Sequence, residues 1–257
     1  MLVVLLGLVS QASRIFQQSN GQRASRQSAR ILLGLIGRDL ESAVFPAIPS
    51  SQTGFDFQLN PAVGGGNCLN PSAAFWQTAA AGTGGNQGDI QDVGYFVSWV
   101  TVGNQARGTL CRLQIPAADP ASIFQNPSRI WTQAILDQFA PGLTKSSLTD
   151  PNAYKGLLAE NVLGLWIALY DAALNRVPVP YDSRATTVRP AYADISLVTI
   201  DPVVGQRLTP SGLPTVIALY ASTTNAAAFA AALPAVLRPG AQVFTTRVQI
   251  PSGTAAP

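Results

Sequence analysis

The 257-residue chain contains no histidine. It therefore lacks the commonest general base and metal ligand, and every triad or zinc site built on imidazole is excluded. Carboxylates are the next side chains able to do chemistry. Asp89 and Asp92 stand three apart at the entrance to an apolar stretch, and Asp171 and Asp182 border the segment after Tyr170. A carboxylate pair at suitable separation can hydrolyse a glycosidic bond. With Asn86 and backbone carbonyls, Asp89 and Asp92 also offer oxygen ligands for calcium. No D-x-[DN]-x-[DN]-G loop supports that ion, and the plain alternative is that these acids cap turns and helix ends. The expectation is thus no catalytic residue and no cofactor, with calcium at Asp89 and Asp92 as the one metal candidate. Thr144-Lys145-Ser146 lacks the glycine that a phosphate cradle places before its lysine, so the Gly-rich runs are expected to be turns.

Charged residues make up only 11% of the chain, against 22 Gly and 19 Pro. That balance suits an extracytoplasmic, loop-rich β protein better than a cytosolic α/β enzyme. The net charge of +3 is carried almost wholly by Arg, and four Arg fall between residues 14 and 30. No second basic face with interleaved aromatics follows, so nucleic acid is not an expected partner. Cys68 and Cys111 lie too far apart for a C-x-x-C site. An even cysteine count in an apparently exported chain predicts a disulfide between them, the alternative being two buried free thiols. Such a bond would close a loop of about 43 residues and contribute roughly 3–4 kcal/mol.

The element that must organise the chain is its N-terminal segment. Met1 to Val9 is an almost unbroken apolar run, too short to span a bilayer, which takes about 20 such residues. No basic stretch precedes it and no clean cleavage site follows, so it is not an ordinary signal peptide. Leu32, Ile36, Leu40 and Val44 then recur every four residues, a helical stripe suited to lying on a sheet, with Arg30, Arg38, Asp39 and Glu41 on the other faces. Gly34 and Gly37 would let a strand approach closely. No proline occurs before Pro46. The reading is one long helix over 1–45, a β-rich head over 46–250 and a disordered tail over 251–257.

Within the head, 90–102 (IQDVGYFVSWVTV) is the strongest strand signal, returning through a turn at 104–108 along 109–115. Further strands are expected at 55–59, 160–170, 192–200, 215–221 and 243–249. Residues 60–73, 79–88 and 141–153 read as loops, and 121–140 and 226–237 as helical pieces, the latter broken near Pro234. Trp99, Trp131 and Trp166 read as core residues. The predicted class is α+β, a long helix packed on antiparallel sheet with short helices.

The opening Met1-Leu2-Val3-Val4-Leu5 resembles the stretch just after the glutamate of the Phe-Thr-Leu-x-Glu motif in type IV pilins and type II secretion pseudopilins. The leader, processing site and glutamate are not in this sequence. Residues 25–44 (SRQSARILLGLIGRDLESAV) resemble the helix end of a J- or W-type minor pseudopilin, where an Arg-Asp-Leu triplet is common. Asp92–Val97, Cys111-Arg112-Leu113, Leu158–Leu165, Tyr181-Asp182-Ser183 and Ile195–Asp201 are similar to verrucomicrobial prepilin-type proteins of the Verru_Chthon cassette protein C family. The resemblance implies a non-enzymatic subunit of a pilus-like or type II secretion-like filament. Leu2, Val3, Val4, Leu5, Leu6, Leu8, Val9, Ile15 and Phe16 would be its assembly surface, and Leu32, Ile36, Leu40 and Val44 would dock it to the body. It also implies sister pilins as partners, the bacterial inner membrane before assembly, a periplasmic or extracellular body, and a cell-surface filament. The competing reading is a membrane-tethered extracytoplasmic binding or adhesion module that uses Phe75-Trp76 and the Gly-rich loops.

Overall fold

A computed structural model of the chain describes residues 25–44, 56–60, 68–79, 90–116 and 157–251. One helix, α1 (25–41), precedes nine strands. These are β1 (Phe57–Leu59), β2 (Cys68–Ala79), β3 (Ile90–Val102), β4 (Gln105–Pro116), β5 (Leu157–Glu160), β6 (Val162–Tyr170), β7 (Tyr181–Asp182), β8 (Tyr192–Ile200) and β9 (Ala241–Gln249). Between β8 and β9 come three short helices, α2 (Pro202–Gly205), α3 (Leu213–Ser222) and α4 (Ala226–Ala232).

The predicted class needs correction. The expected helix over 1–45 is not seen. The described helix has 17 residues, 25–41, and the described fold is mostly antiparallel sheet with short helices. Residues 1–24 and the 252–257 tail lie outside the described part. Helical stability comes mainly from docking an apolar face, and the buried stripe of α1 starts at Ala29. At the other end, Ala43 bridges Thr78 and the Val44 N–H donates to the Gln77 carbonyl at 2.8 Å, so β2 claims the backbone that would have continued the helix.

The strands form two antiparallel sheets, one of six strands in the order β5-β4-β3-β2-β1-β7 and one of three in the order β6-β8-β9. The β3–β4 hairpin dominates the first, since β-branched and aromatic residues fill 90–102. Its turn is two residues, Gly103-Asn104, between the pair Val102 and Gln105. Gly103 has φ +59°, the positive value that the first position of a type II′ turn requires. The turn therefore sits ahead of the 104–108 expected for it. The chain crosses between sheets at Asn161, whose φ of +61° separates β5 from β6. A single hydrophobic core joins both sheets and α1, taking in Ile36, Leu40, Trp76, Tyr95, Trp99, Trp166, Ile195 and Phe229.

Two local expectations fail for identifiable reasons. Residues 215–221 form helix α3 rather than a strand. Pro214 opens it, and its buried residues Val216 and Tyr220 are four apart, a helical interval inside a run that is apolar on every side. The start of β2 lies within the Asn- and Pro-containing stretch assigned to a loop, with a bulge between Leu69 and Ala74 absorbing the mismatch. The expected helical piece 121–140, with Trp131, and the loop 141–153 lie outside the described residues.

Candidate functional site

The stripe on α1 places Leu32, Ile36 and Leu40 in the core, as the four-residue spacing requires, together with Ala29, Leu33 and Ala43. Val44 is only half-buried, because the helix has ended before it. Beneath the stripe, the inner face of the large sheet presents a row of rings across successive strands. Phe57 on β1 stacks on Trp76 of β2 at 5.5 Å, and Trp76 on Tyr95 of β3 at 5.5 Å, while Tyr181 of β7 meets Phe57 edge-on. Such cross-strand aromatic contacts exceed simple area burial in strength.

The polar group that ties α1 to this row is Asp39. Its Oδ2 accepts from the Tyr95 hydroxyl at 2.5 Å and from Arg112 Nε on β4 at 2.9 Å, and Arg112 Nε also reaches the Tyr95 oxygen at 3.0 Å. The Trp76 indole N–H donates to the Asp39 backbone carbonyl at 3.0 Å. Burial, reinforced by the Asp39 charge and hydrogen bond, drives the Tyr95 phenol well above its ordinary range. Burial alone would lower Arg112, but the Asp39 hydrogen bond reverses that and its pKa rises. Sequence reading put Asp39 on an outward face. The signal for burial was present, since residue 39 follows Ile36 by three and Leu32 by seven, both stripe intervals.

A second polar cluster lies across β1, β2 and β3. Gln77 Nε2 donates to Asp56 Oδ1 at 2.7 Å and to Asp92 Oδ1 at 3.0 Å, so one amide bridges two fully buried carboxylates. Gln58 Nε2 also donates to Asp56, and Arg184 lies 3.8 Å from it while chelating Asp182. Burial raises the Asp56 pKa to about 6, against the lowering effects of Gln77, Arg184 and Gln58. Asp92, half of the calcium candidate, is thus a member of this interior network, and its companion Asp89 lies outside the described residues. No group of three or more potential metal ligands occurs among the described residues. Asp171 ties its own turn, accepting from the Ala173 and Asn175 N–H groups at 2.9 and 2.8 Å.

Cys111 is a free, buried thiol, and burial pushes its pKa up to about 12. The register explains why the expected bridge does not form. Cys68 of β2 lies opposite Ser98, and Cys111 of β4 opposite Phe96, so β3 separates the two cysteines. Two strand spacings of about 4.8 Å exceed the roughly 7 Å between Cα atoms that a disulfide spans. Phe75 and Trp76, the surface proposed for the competing binding module, are both fully buried. Trp99 and Trp166 are buried in the core as expected. Among the described residues, no helix is long and apolar enough to cross a membrane.

Surface depressions among the described residues include two on the small sheet. One, of about 420 Å3, lies on the outer face of the small sheet among Tyr170, Arg176, Asp194, Ser196, Thr245 and the 221–226 turn. The other, of about 460 Å3, runs between α1 and β9. Comparison with family models, curated proteins and solved structures finds no match to this chain.

Proposed function

We propose that the chain is a non-enzymatic structural subunit of a pilus-like or type II secretion-like assembly. The observation that carries this reading is the anchoring of α1. An ion pair and two further hydrogen bonds at Asp39, beneath an apolar stripe, fix the helix to the β body. The sequence upstream opens with the apolar run Met1–Val9, and Arg14, Ile15, Phe16 and Arg23 lie between that run and α1. An apolar segment attached to a rigidly docked helix delivers a defined orientation of the body relative to whatever that segment enters, either lipid or the corresponding segments of sister subunits. The reading requires the run at the chain start to be held by α1; it does not require one uninterrupted helix over 1–45. It places the body on the outer side of a bacterial inner membrane.

The test compares the full chain with a version starting at residue 25, both expressed in a bacterial host. A cysteine introduced as Leu5→Cys, in a background lacking Cys68 and Cys111, reports contacts between apolar segments. The full chain is expected in the membrane fraction with cross-linked species through position 5. The truncated chain is expected to be soluble, monomeric and folded. A full chain that fractionates and cross-links no differently from the truncation overturns the reading.

A further inference from the structure

Helix α1 and strand β9 leave an unfilled slot whose walls are suited to one kind of partner. In an antiparallel ladder, alternate residues turn both backbone polar groups toward the neighbouring strand and the others turn theirs away. Ile250 N–H donates to the Ala191 carbonyl at 2.8 Å and Asp201 N–H to the Gly240 carbonyl at 2.9 Å. The even-numbered residues of β9 are therefore bonded to β8, and Val243, Thr245 and Arg247 direct their N–H and C=O groups outward. β9 is the terminal strand of its sheet, so among the described strands none pairs with these groups. It is nine residues long and contains no proline.

The opposite wall is α1. Gly37 is pressed against β9, with an added Cβ falling 2.9 Å from Val248 Cγ1, while Gly34 one turn earlier has nothing within 4 Å of that position. The slot therefore opens from its tight end at Gly37 toward Arg30. Its volume is about 460 Å3, its floor includes Leu33 and Val248, and its charged lining is Arg30, Arg38, Arg247 and Glu41. Arg247 is engaged by Asp194 at 2.6 Å. Arg30 and Arg38 are exposed, with no ion pair among the described residues.

We propose that this slot binds an extended acidic peptide segment of a partner protein, which adds as a strand to the outer edge of β9. Strand addition supplies affinity through main-chain hydrogen bonds and specificity through alternate side chains. Here Val243, Thr245 and Arg247 provide the main-chain register, and Arg30 and Arg38 select carboxylates. The proposal rests on the edge and its lining, and stands independently of the assembly reading above.

The probe is a capped peptide of about nine residues alternating Glu and Val, compared with one in which Lys replaces Glu. Binding to the full chain is followed by hydrogen exchange at individual amides. The Glu peptide is expected to slow exchange at Val243, Thr245 and Arg247 by roughly tenfold or more when saturating, and the Lys peptide is expected to leave them unchanged. Thr245→Pro removes one outward N–H and the exposed hydroxyl contact to Ser196 without touching a main-chain bond to β8, a position where an edge strand tolerates proline. It should abolish protection while the near-ultraviolet circular dichroism stays native. Arg30→Glu with Arg38→Glu should weaken binding at least tenfold and spare the fold, since both side chains are exposed. Equal binding of the two peptides, or no protection at the three amides, overturns the proposal. So does sedimentation showing that the chain pairs with a second copy through this edge.

Discussion

Removing the Asp39 carboxylate, as Asp39→Ala, should loosen α1 from the body more than any other single-residue change on that helix. The carboxylate is about one-eighth exposed and its partner Arg112 about one-fifth, so neither is strongly screened. The substitution deletes a 2.9 Å ion pair and leaves the fully buried Tyr95 hydroxyl without its acceptor. Breaking one side of a buried pair costs about 3–5 kcal/mol, and an unsatisfied buried hydroxyl about 1–3 kcal/mol. Arg112 keeps Gln114 Oε1 at 2.9 Å and Trp76 keeps the Asp39 backbone carbonyl, which moderates the loss. We therefore expect about 3 kcal/mol in urea unfolding at pH 7, with amide protection in 29–40 falling further than in β3. A cycle with Asp39→Asn and Tyr95→Phe should show a coupling of at least about 1 kcal/mol. Arg38→Ala, one residue away and exposed, should change stability by less than about 0.5 kcal/mol. Equal effects at positions 38 and 39, or a cycle that sums to zero, would refute the assignment of Asp39 as the anchor.

Other consequences follow from single positions. Asp56 titrates at about 6 in the fold against 3.8 as its reference. A raised folded pKa gives stability that is fully present below pH 3.8 and lost as pH rises through 6, amounting to about 3 kcal/mol. Asp56→Asn should flatten that decline in urea titrations between pH 4 and 7, and an unchanged slope would show that Asp56 is not its source. Gly37→Val should destabilise by about 1–3 kcal/mol through collision with Val248, whereas Gly34→Ala should be neutral or stabilise by up to about 1 kcal/mol in thermal unfolding. Mass spectrometry of the native protein after brief maleimide treatment should find the Cys111 peptide unmodified, because its thiol is buried and pushed up to about 12; rapid labelling would contradict its burial.

What could be read from the sequence was periodicity where one face is buried and the other is not. Strand β3 came out at 90–102, and β8 at 192–200, because β-branched and aromatic residues are dense and bounded by turn formers. Leu32, Ile36 and Leu40 declared a helix for the same reason. Failures cluster where that contrast vanishes. Around 215–221 every side is apolar, so neither period 2 nor period 3.6 stands out, and only Pro214 and the 216–220 interval favoured the helix. Asp39 and Asp56 are charged residues in the interior, and a polar-out rule misassigns them because their neutralising partners, Arg112, Tyr95 and Gln77, are 21 or more residues distant. The cysteine count pointed to a bridge, but pairing depends on strand order, and β3 between β2 and β4 is a fact of topology.

Of the two misassigned charges, Asp39 links the fold to the proposed assembly. The outer edge of the small sheet ends at β9, and α1 lies beside it on the same inner face of the large sheet. The helix lies beside that edge without pairing with it. A strand there would be held by main-chain bonds to β9, and its position would be fixed by register. A helix cannot make those bonds, so its position depends on side chains, and apolar stripes alone permit sliding by a turn. Asp39 removes that freedom, since only one placement sets a carboxylate between Tyr95 and Arg112 while seating Gly37 on Val248. The open edge of β9 and the fixed axis of α1 therefore form the two walls of one slot. Loss of Asp39 should disturb both the orientation of the N-terminal segment and peptide capture in the slot. If Asp39→Ala lowered stability while leaving Glu-peptide protection at Val243, Thr245 and Arg247 intact, α1 would be a wall by coincidence, and the edge alone would bind.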